Sequence, residues 1–256
     1  MPDIGNAPRA EQVFYDDLEI KGSRTHYLLH RLSIGFYEKG PRGRLWGPFW
    51  KNVDVRGAVA LDYGCGDGSF SHLLAGRGAH VSGVDISPER IRQAEAATVA
   101  GNSGSAKFFV SDVHQTPFPD NSFDYVVGNG ALHHLDLDRA YAEIARVLKP
   151  AGRAFFMEPM YRHPGLRLVR RLTPSLRSPC EKPLDFSDME RAKRWFRKVS
   201  HREHFLFAAC TAPAALLGRA TALTMINLVD RFDHGLMRLA PPLRELAWLT
   251  MLEMEK

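Results

Sequence analysis

The feature that most constrains the fold is a glycine-rich segment at 62–68, which reads Asp-Tyr-Gly-Cys-Gly-Asp-Gly. It follows an apolar run at 58–61 that is typical of a buried strand, and it precedes 69–74, which is typical of a helix start. Glycine tolerates positive φ and has no Cβ to hold a ligand away, and a helix start adds free N–H groups. A strand, a glycine turn and a helix in this order predict a site where backbone contacts a ligand.

The spacing of the glycines narrows the class of ligand. A dinucleotide-binding turn requires the pattern G-x-G-x-x-G. Counted from Gly64 its third glycine would fall on Ser69, and counted from Gly66 it would fall on Ser71. The turn instead has an acid, Asp62, followed by three glycines at alternate positions. This pattern resembles the first motif of the class I S-adenosylmethionine (SAM)-dependent methyltransferases.

Later strands also end in a polar residue. Strand 80–84 leads to Asp85, and Ser87 and Pro88 then supply a cap and a first helical residue. Because ligands of parallel α/β sheets bind beyond the carboxyl ends of the strands, such side chains are expected to converge. Three further strands are predicted at 106–111, 123–127 and 153–157, and they lead to Asp112, Asn129 and Glu158.

The resemblance covers about 55–159 and is supported by a proline-rich loop, a His-His loop and a Leu-Lys-Pro-x-Gly helix stop at 148–152. It implies SAM as the cofactor. An acid about 20 residues beyond the turn is also where nucleotide folds bind ribose hydroxyls, which suits Asp85. The implied cofactor-binding residues are Asp62, Gly64, Cys65, Gly66 and Gly68 in the turn, Asp85 and Ile86 beside the ribose, Asp112 and Val113 beside the adenine, and Asn129 at the methionine end.

Strands that alternate with helices predict an α/β fold. We expect a Rossmann-like, doubly wound, mostly parallel seven-stranded sheet with helices on both faces. The resemblance further implies that strands at 199–207 and 247–254 close the sheet as an antiparallel hairpin. The expected domains are an N-terminal helical cap at 1–52, with a helix or two at 11–32, and a methyltransferase domain at 53–256. The cap could be a substrate lid or a packing helix.

A helical insertion is expected at 211–243, before the last strand. Its apolar part, 214–228, is interrupted by Arg219 and Asn227, which argues against a membrane span of about 20 apolar residues. A buried helical hairpin or an oligomer contact is the favoured interpretation. Lining of an apolar substrate pocket comes next, and insertion into a membrane surface is the minority alternative.

The net charge and the cysteine content limit which partners and which cellular compartment fit the chain. The net charge of +5 is uneven, because 153–202 holds thirteen Lys/Arg against five Asp/Glu. This stretch fits an anionic substrate, a membrane surface or nucleic acid, or simply solvated helix faces, which is the favoured interpretation. No RNA-binding module is visible. Cys65, Cys180 and Cys210 show no paired metal spacing, and no signal peptide is apparent, so a cytoplasmic protein is expected.

The chemistry needs few protein groups. A methyl on a sulfonium already has a good leaving group, so positioning can supply about 7–11 kcal/mol, and a base is needed only if the acceptor must lose a proton. His133 and His134 are the base candidates, with packing or capping as their alternative roles. Glu158 is the third, with a hydrogen-bond anchor as the alternative. His163, His201 and His204 could line the acceptor pocket. His26 and His30 share a helix face without a third metal ligand.

The predicted function is SAM-dependent methyl transfer to a small-molecule or lipid-like acceptor with an anionic and an apolar part, with O-methylation favoured. One alternative is a methyltransferase that also cyclises or rearranges its substrate. Another is a non-enzymatic scaffold that keeps the fold, against which the intact turn, Asp85 and Asp112 argue. No nucleic acid partner or metal is expected. Peripheral membrane contact and homo-oligomer formation stay open.

Overall fold

The computed structural model describes residues 7–21, 45–97, 103–172, 178, 180–207 and 219–256. At its centre is a seven-stranded sheet in the order β3-β2-β1-β4-β5-β7-β6. Its strands are β1 (Val59–Tyr63), β2 (His80–Asp85), β3 (Ser105–Val110), β4 (Phe123–Asn129), β5 (Leu148–Pro159), β6 (Lys198–His204) and β7 (Leu249–Glu255). The first five strands pair in parallel, and β7 pairs antiparallel with both β5 and β6. The predicted fold class and its closing hairpin are confirmed.

Helices pack on both faces of this sheet. Phe155 and Phe156 are neighbours on β5 and therefore point to opposite faces, and they belong to two different buried clusters. Tyr141 packs in the first cluster and Leu74 in the second. The helices are α1 (Ala7–Lys21), α2 (Gly47–Asn52), α3 (Ser69–Ala75), α4 (Pro88–Ala96), α5 (Leu137–Val147), α6 (Pro164–Leu172), α7 (Phe186–Arg191) and α8 (Arg219–Leu239), with 3-10 turns at Leu132–His134, Ala192–Arg194 and Pro241–Leu246.

The described part of the insertion does not by itself form the expected buried hairpin. Its described part is one long helix, α8, followed by a 3-10 turn. Ile226 and Met237 are buried, but the apolar side chains of Met225, Leu228, Phe232 and Leu239 are exposed. Among the described residues, no helix combines the length and the apolar character that crossing a bilayer requires. The rest of the insertion, the second half of the predicted 11–32 helix, His26, His30 and Cys210 lie outside the described residues.

Gly68 illustrates why the turn needs glycine. Its φ is +74°, and an added Cβ would lie 2.7 Å from Ala94 Cβ and 2.9 Å from the Phe108 ring. Gly57 has a similar φ of +71° but open space around it. Both Gly→Ala variants pay a left-handed backbone cost of about 1–2 kcal/mol. We expect Gly68→Ala to lose about 1–3 kcal/mol more than Gly57→Ala in urea unfolding, because only Gly68 is also overpacked. Equal losses would contradict this close packing.

Candidate active site

A cavity of about 500 Å³ opens at the carboxyl ends of the parallel strands. It brings together part of the predicted site, namely Gly64, Asp85, Ile86, Asp112, Val113 and His134. The other predicted residues do not form its wall, and these are Asp62, Cys65, Gly66, Gly68, Asn129, His133 and Glu158. The nearby α1 helix contributes Pro8, Glu11 and Tyr15 to the wall.

Asp85 ties the glycine turn to the next helix. Its Oδ2 accepts the Gly66 N–H at 2.9 Å and its Oδ1 accepts the Ser87 N–H at 3.0 Å. An ionised carboxylate offers about four lone-pair sites, so about two stay available for a ligand. Asp85 thereby combines a rigid position with spare acceptor capacity on the cavity wall, which suits a pair of hydroxyl groups.

Asp62 does not line the cavity, although it was predicted to bind the cofactor. It is buried and accepts a 2.6 Å hydrogen bond from the Ser71 hydroxyl of α3. Burial, opposed by this hydrogen bond, raises the pKa of Asp62 to about 7. Asp62 therefore lies behind the turn and links β1 to α3.

His114 is a wall residue that sequence reasoning missed. The Asp136 N–H donates to its Nε2 at 3.1 Å, so the ring proton is on Nδ1, which donates to Asp112 Oδ1 at 2.8 Å. This hydrogen bond, opposed by partial burial, lowers the pKa of Asp112. His114 thus orients Asp112 and joins the loop after β3 to the start of α5. A histidine two positions after an acid is too common a pattern to have identified it.

Glu158 has the geometry of the anchoring alternative. It is fully buried, and its Oε1 accepts the N–H groups of Ala131 and Leu132, both at 2.9 Å. Its Oε2 lies 2.7 Å from His133 Nδ1. Burial and the neighbouring His134, opposed by Glu158, lower the pKa of His133. The Glu158 and His133 side chains therefore stabilise the 3-10 turn after β4 without lining the cavity.

His134 is the one base candidate on the cavity wall, and it joins a relay from α1. The Ser178 hydroxyl donates to Glu11 Oε1 at 2.5 Å and therefore accepts from His134 Nδ1 at 2.9 Å. This arrangement leaves His134 Nε2 to accept from the Tyr15 hydroxyl at 2.9 Å. Burial raises the pKa of Tyr15, so the phenol stays protonated and donates. Residues 11, 15 and 178 carried no local signal, because they meet only in the folded chain.

Helix α1 lines the cavity and also packs against α4. The Arg90 guanidinium of α4 lies 4.0 Å from the centroid of the Tyr15 ring, and the Ser87 hydroxyl donates to Asp16 Oδ1 at 2.5 Å. Helix α1 therefore packs against the fold and lines the cavity, and a role as substrate lid stays a prediction.

The other candidate histidines lie away from the cavity. His163 Nε2 lies 3.1 Å from the Leu206 carbonyl oxygen, and its Nδ1 accepts the Leu166 N–H. His201 pairs with Glu203. His204 faces α8, near Asp230 and His234. None of the three lines the cavity, so their predicted role in the acceptor pocket is not supported by their positions.

The residues around the cavity fit an adenosyl ligand with an amino-acid tail. Asn129 Oδ1 is buried with no hydrogen-bond partner in the described part of the chain, so a donor is lacking there. Apolar wall residues and carboxylates share the cavity, as an adenosyl group with ring faces and hydroxyls requires. Across 61–156, the segment that builds this site, the sequence matches the family model described as "Methyltransferase domain". Residues 61–156 therefore form a domain of the class I SAM-dependent methyltransferases.

Named relatives share this methyltransferase core. The sterol 24-C-methyltransferase ERG6B of Gibberella zeae is 39% identical over 105 residues, which are 40% of this chain and 28% of that protein. A demethylmenaquinone methyltransferase of Clavibacter sepedonicus is 31% identical over 172 residues, which are 66% of this chain and 65% of that protein. The matched part of the chain thus spans less than two thirds of either relative.

Solved methyltransferases share the fold. The crystal structure of magnesium protoporphyrin IX methyltransferase from Synechocystis PCC 6803 with bound S-adenosylhomocysteine (SAH) superposes with a TM-score of 0.59. It covers 98% of this chain and 99% of that one at 16% identity, so the likeness concerns the fold alone.

Proposed function

We propose that this methyltransferase moves the methyl group of SAM to a small, largely apolar acceptor of the quinone or sterol type. The observation that carries the proposal is the cavity at the strand ends, which Asp85 and Asp112 line together with Glu11 and Tyr15 of α1. When bound, the cofactor supplies an activated methyl group. In the proposal Asp85 accepts the ribose hydroxyls, Asp112 faces the adenine, and the glycine turn contacts the amino-acid end.

The protein's own part in the proposed reaction is to orient, exclude water and hold a proton. Tyr15 and His134 form one wall, and the Glu11 carboxylate behind Ser178 favours a proton on His134 Nδ1. His134 Nε2 is then the basic nitrogen. Burial raises the pKa of Glu11, but its interactions with His134 and Ser178 outweigh burial, so the pKa is lowered and the carboxylate stays charged. An acidic hydroxyl group of the acceptor can transfer its proton to Nε2 by two routes. Either it takes the place of the Tyr15 hydroxyl and donates directly, or the Tyr15 hydroxyl relays the proton.

The proposal also specifies which atom of the acceptor receives the methyl group. Sequence reasoning favoured oxygen, whereas the printed name of the sterol relative specifies a carbon atom. We therefore propose carbon methylation of a hydroxylated ring or an alkene, and keep oxygen as the second candidate. In both cases the acceptor is largely apolar, and Lys182, the one described Lys or Arg residue of 153–202 on the cavity wall, would face an anionic part of it.

Product analysis tests the function and its alternatives. The full chain is incubated with methyl-labelled SAM and, separately, a demethylated quinol, a sterol and a phenolic acid. Gain of one methyl by mass in an acceptor supports the proposal, and the proton NMR shift of that methyl separates carbon from oxygen. A rearranged skeleton would favour the cyclising alternative. Folded protein without measurable SAM binding would instead support the scaffold alternative.

Asp85→Asn tests the proposed ribose contact. Because hydrogen bonds to charged groups contribute about 1.5–3 kcal/mol, we expect SAM binding to weaken by about 10- to 100-fold in titration calorimetry. Asp120→Asn, which removes an exposed acid paired with Arg146, is the matched control and should bind as wild type does. Unchanged affinity in Asp85→Asn would remove the ribose assignment.

His134→Ala tests the proposed base once an acceptor is known. Loss of a general base typically costs about 100- to 10,000-fold in rate, so we expect kcat to fall by that range while SAM affinity changes little. Tyr15→Phe keeps the ring on Arg90 but removes the hydroxyl, and should lower kcat by a smaller factor. His80→Ala, a histidine exposed on β2, is the control. A wild-type kcat in His134→Ala would exclude it as the base.

The proposed location is the cytoplasm. Cys65 is a buried free thiol, as is usual in a reducing compartment. Burial raises the pKa of the Cys65 thiol, which argues against a redox role in the turn.

A further inference from the structure

A second group of polar side chains, one buried and two partly buried, lies outside the cavity, between the edge strand β6 and helix α8. It consists of His204, the last residue of β6, and of Asp230 and His234, which are one turn apart on α8. One nitrogen or oxygen atom from each of these side chains lies within 4.8 Å of those of the other two. None of the three lines the cavity.

Several polar atoms of this cluster lack hydrogen-bond partners. Both ring nitrogens of His204, Oδ1 of Asp230 and Nε2 of His234 are buried with no partner among the described residues. The His204 side chain is only 8% exposed. A buried polar group without a partner costs about 1–3 kcal/mol. Four such atoms in one place therefore indicate that something beyond the described side chains completes the cluster.

The hydrogen bonding of His234 indicates what kind of group this is. Its Nδ1 lies 2.7 Å from the Asp230 carbonyl oxygen. A carbonyl oxygen only accepts, so Nδ1 carries the proton and Nε2 carries a free lone pair. Metal-ligating histidines characteristically donate their second ring N–H to a backbone carbonyl or a carboxylate in this way. The arrangement presents a neutral imidazole as a ligand rather than as a proton donor.

We propose that His204, Asp230 and His234 bind one divalent transition-metal ion, with zinc the best match and water as the remaining ligand. Two imidazoles and a carboxylate form a common ligand set for such ions. Zinc bonds of about 2.0–2.1 Å place tetrahedral ligand atoms about 3.4 Å apart, so binding draws the three side chains closer together than the 4.8 Å within which they lie.

The ion joins α8 to the edge of the sheet. Asp233 already accepts the N–H groups of Leu206 and Phe207, both at 2.9 Å, and so holds the chain after β6 against the same helix. The metal adds a second attachment one turn away. Its role is structural, because the three ligands lie outside the cavity wall, and it does not depend on the proposed methyl transfer.

Metal retention by the full chain tests the site. Untagged protein is stripped with a chelator, given zinc chloride, freed of excess ion and assayed for zinc by mass spectrometry. We expect one ion per wild-type chain and a raised melting temperature. His234→Gln and Asp230→Asn should weaken binding at least about 10-fold, since even outer-shell partners contribute that much. His80→Ala, which removes an exposed histidine, should bind as wild type does.

Two further measurements keep the result interpretable. Circular dichroism and SAM binding report whether each variant is folded, and both are independent of metal retention. Cobalt added to the wild-type protein should give visible bands of nitrogen and oxygen ligation without a thiolate charge-transfer band. A folded wild-type chain that retains no zinc, variants that bind as tightly as wild type, or a thiolate band would each overturn the proposal.

Discussion

Glu158→Ala is expected to lower the free energy of unfolding by about 3–5 kcal/mol and to abolish SAM binding. The carboxyl accepts two N–H groups of the turn after β4 at 2.9 Å and contacts His133 Nδ1 at 2.7 Å, all away from water. Alanine leaves these donors buried without an acceptor and frees the turn that carries Ala131 and His134 to the cavity. Urea unfolding and calorimetry with SAM measure the two effects.

Glu158→Gln separates anchoring from catalysis. Its amide oxygen can still accept the Ala131 and Leu132 N–H groups, and His133 can exchange its tautomer to accept from the amide NH₂. An anchor therefore predicts a small loss of stability and retained SAM binding. A stable Glu158→Ala variant with wild-type SAM affinity would show that the turn does not depend on this carboxyl.

Asp62→Asn is expected to make stability less dependent on pH. In the folded chain burial raises the pKa of Asp62 to about 7, against 3.8 as its ordinary value. Between these values only the unfolded chain is ionised, so the wild type loses stability as the pH rises from about 4 to about 7 and changes no further above it. Each pH unit in that window is worth about 1.4 kcal/mol, so the total is on the order of 4 kcal/mol.

Paired denaturation curves measure this effect. Between about pH 5 and about pH 8, Asp62→Asn should gain on the order of 3 kcal/mol relative to wild type, because it has no carboxyl to ionise. Asp67→Asn removes an exposed carboxyl from the same turn and is the matched control. A difference between Asp62→Asn and wild type that is constant with pH would mean that Asp62 is ionised without cost in the folded chain.

The local sequence pattern explains which features of the fold could be predicted. The strands and the polar residue near the end of each parallel strand repeat with the period of a β-α unit, so the sheet and its polar edge follow from short segments. The start of α7 is less predictable, because Ser187 and Glu190 also have the spacing of a capping box in the sequence. The structure uses Asp185 and Asp188 instead, whose side chains accept each other's N–H groups, so α7 begins at Phe186.

The features that the sequence does not predict depend on side-chain direction and on contacts between residues far apart in the chain. Asp85 ends β2 and faces the cavity, whereas Asp62 is followed by one more strand residue and points to Ser71. Which face an acid takes depends on where its strand stops, and strand ends are the least regular part of the pattern. The Glu11–Ser178 contact joins residues 167 positions apart, and no local period reports such a pair.

The central claim is that the cavity at the strand ends binds the adenosyl cofactor, and a crystal structure of the protein with SAH tests it most directly. We expect the ribose hydroxyls within about 3 Å of the Asp85 carboxylate and the adenine beside Asp112. The homocysteine sulfur should lie on the side of His134. SAH bound at another place, or a ribose turned away from Asp85, would contradict the account.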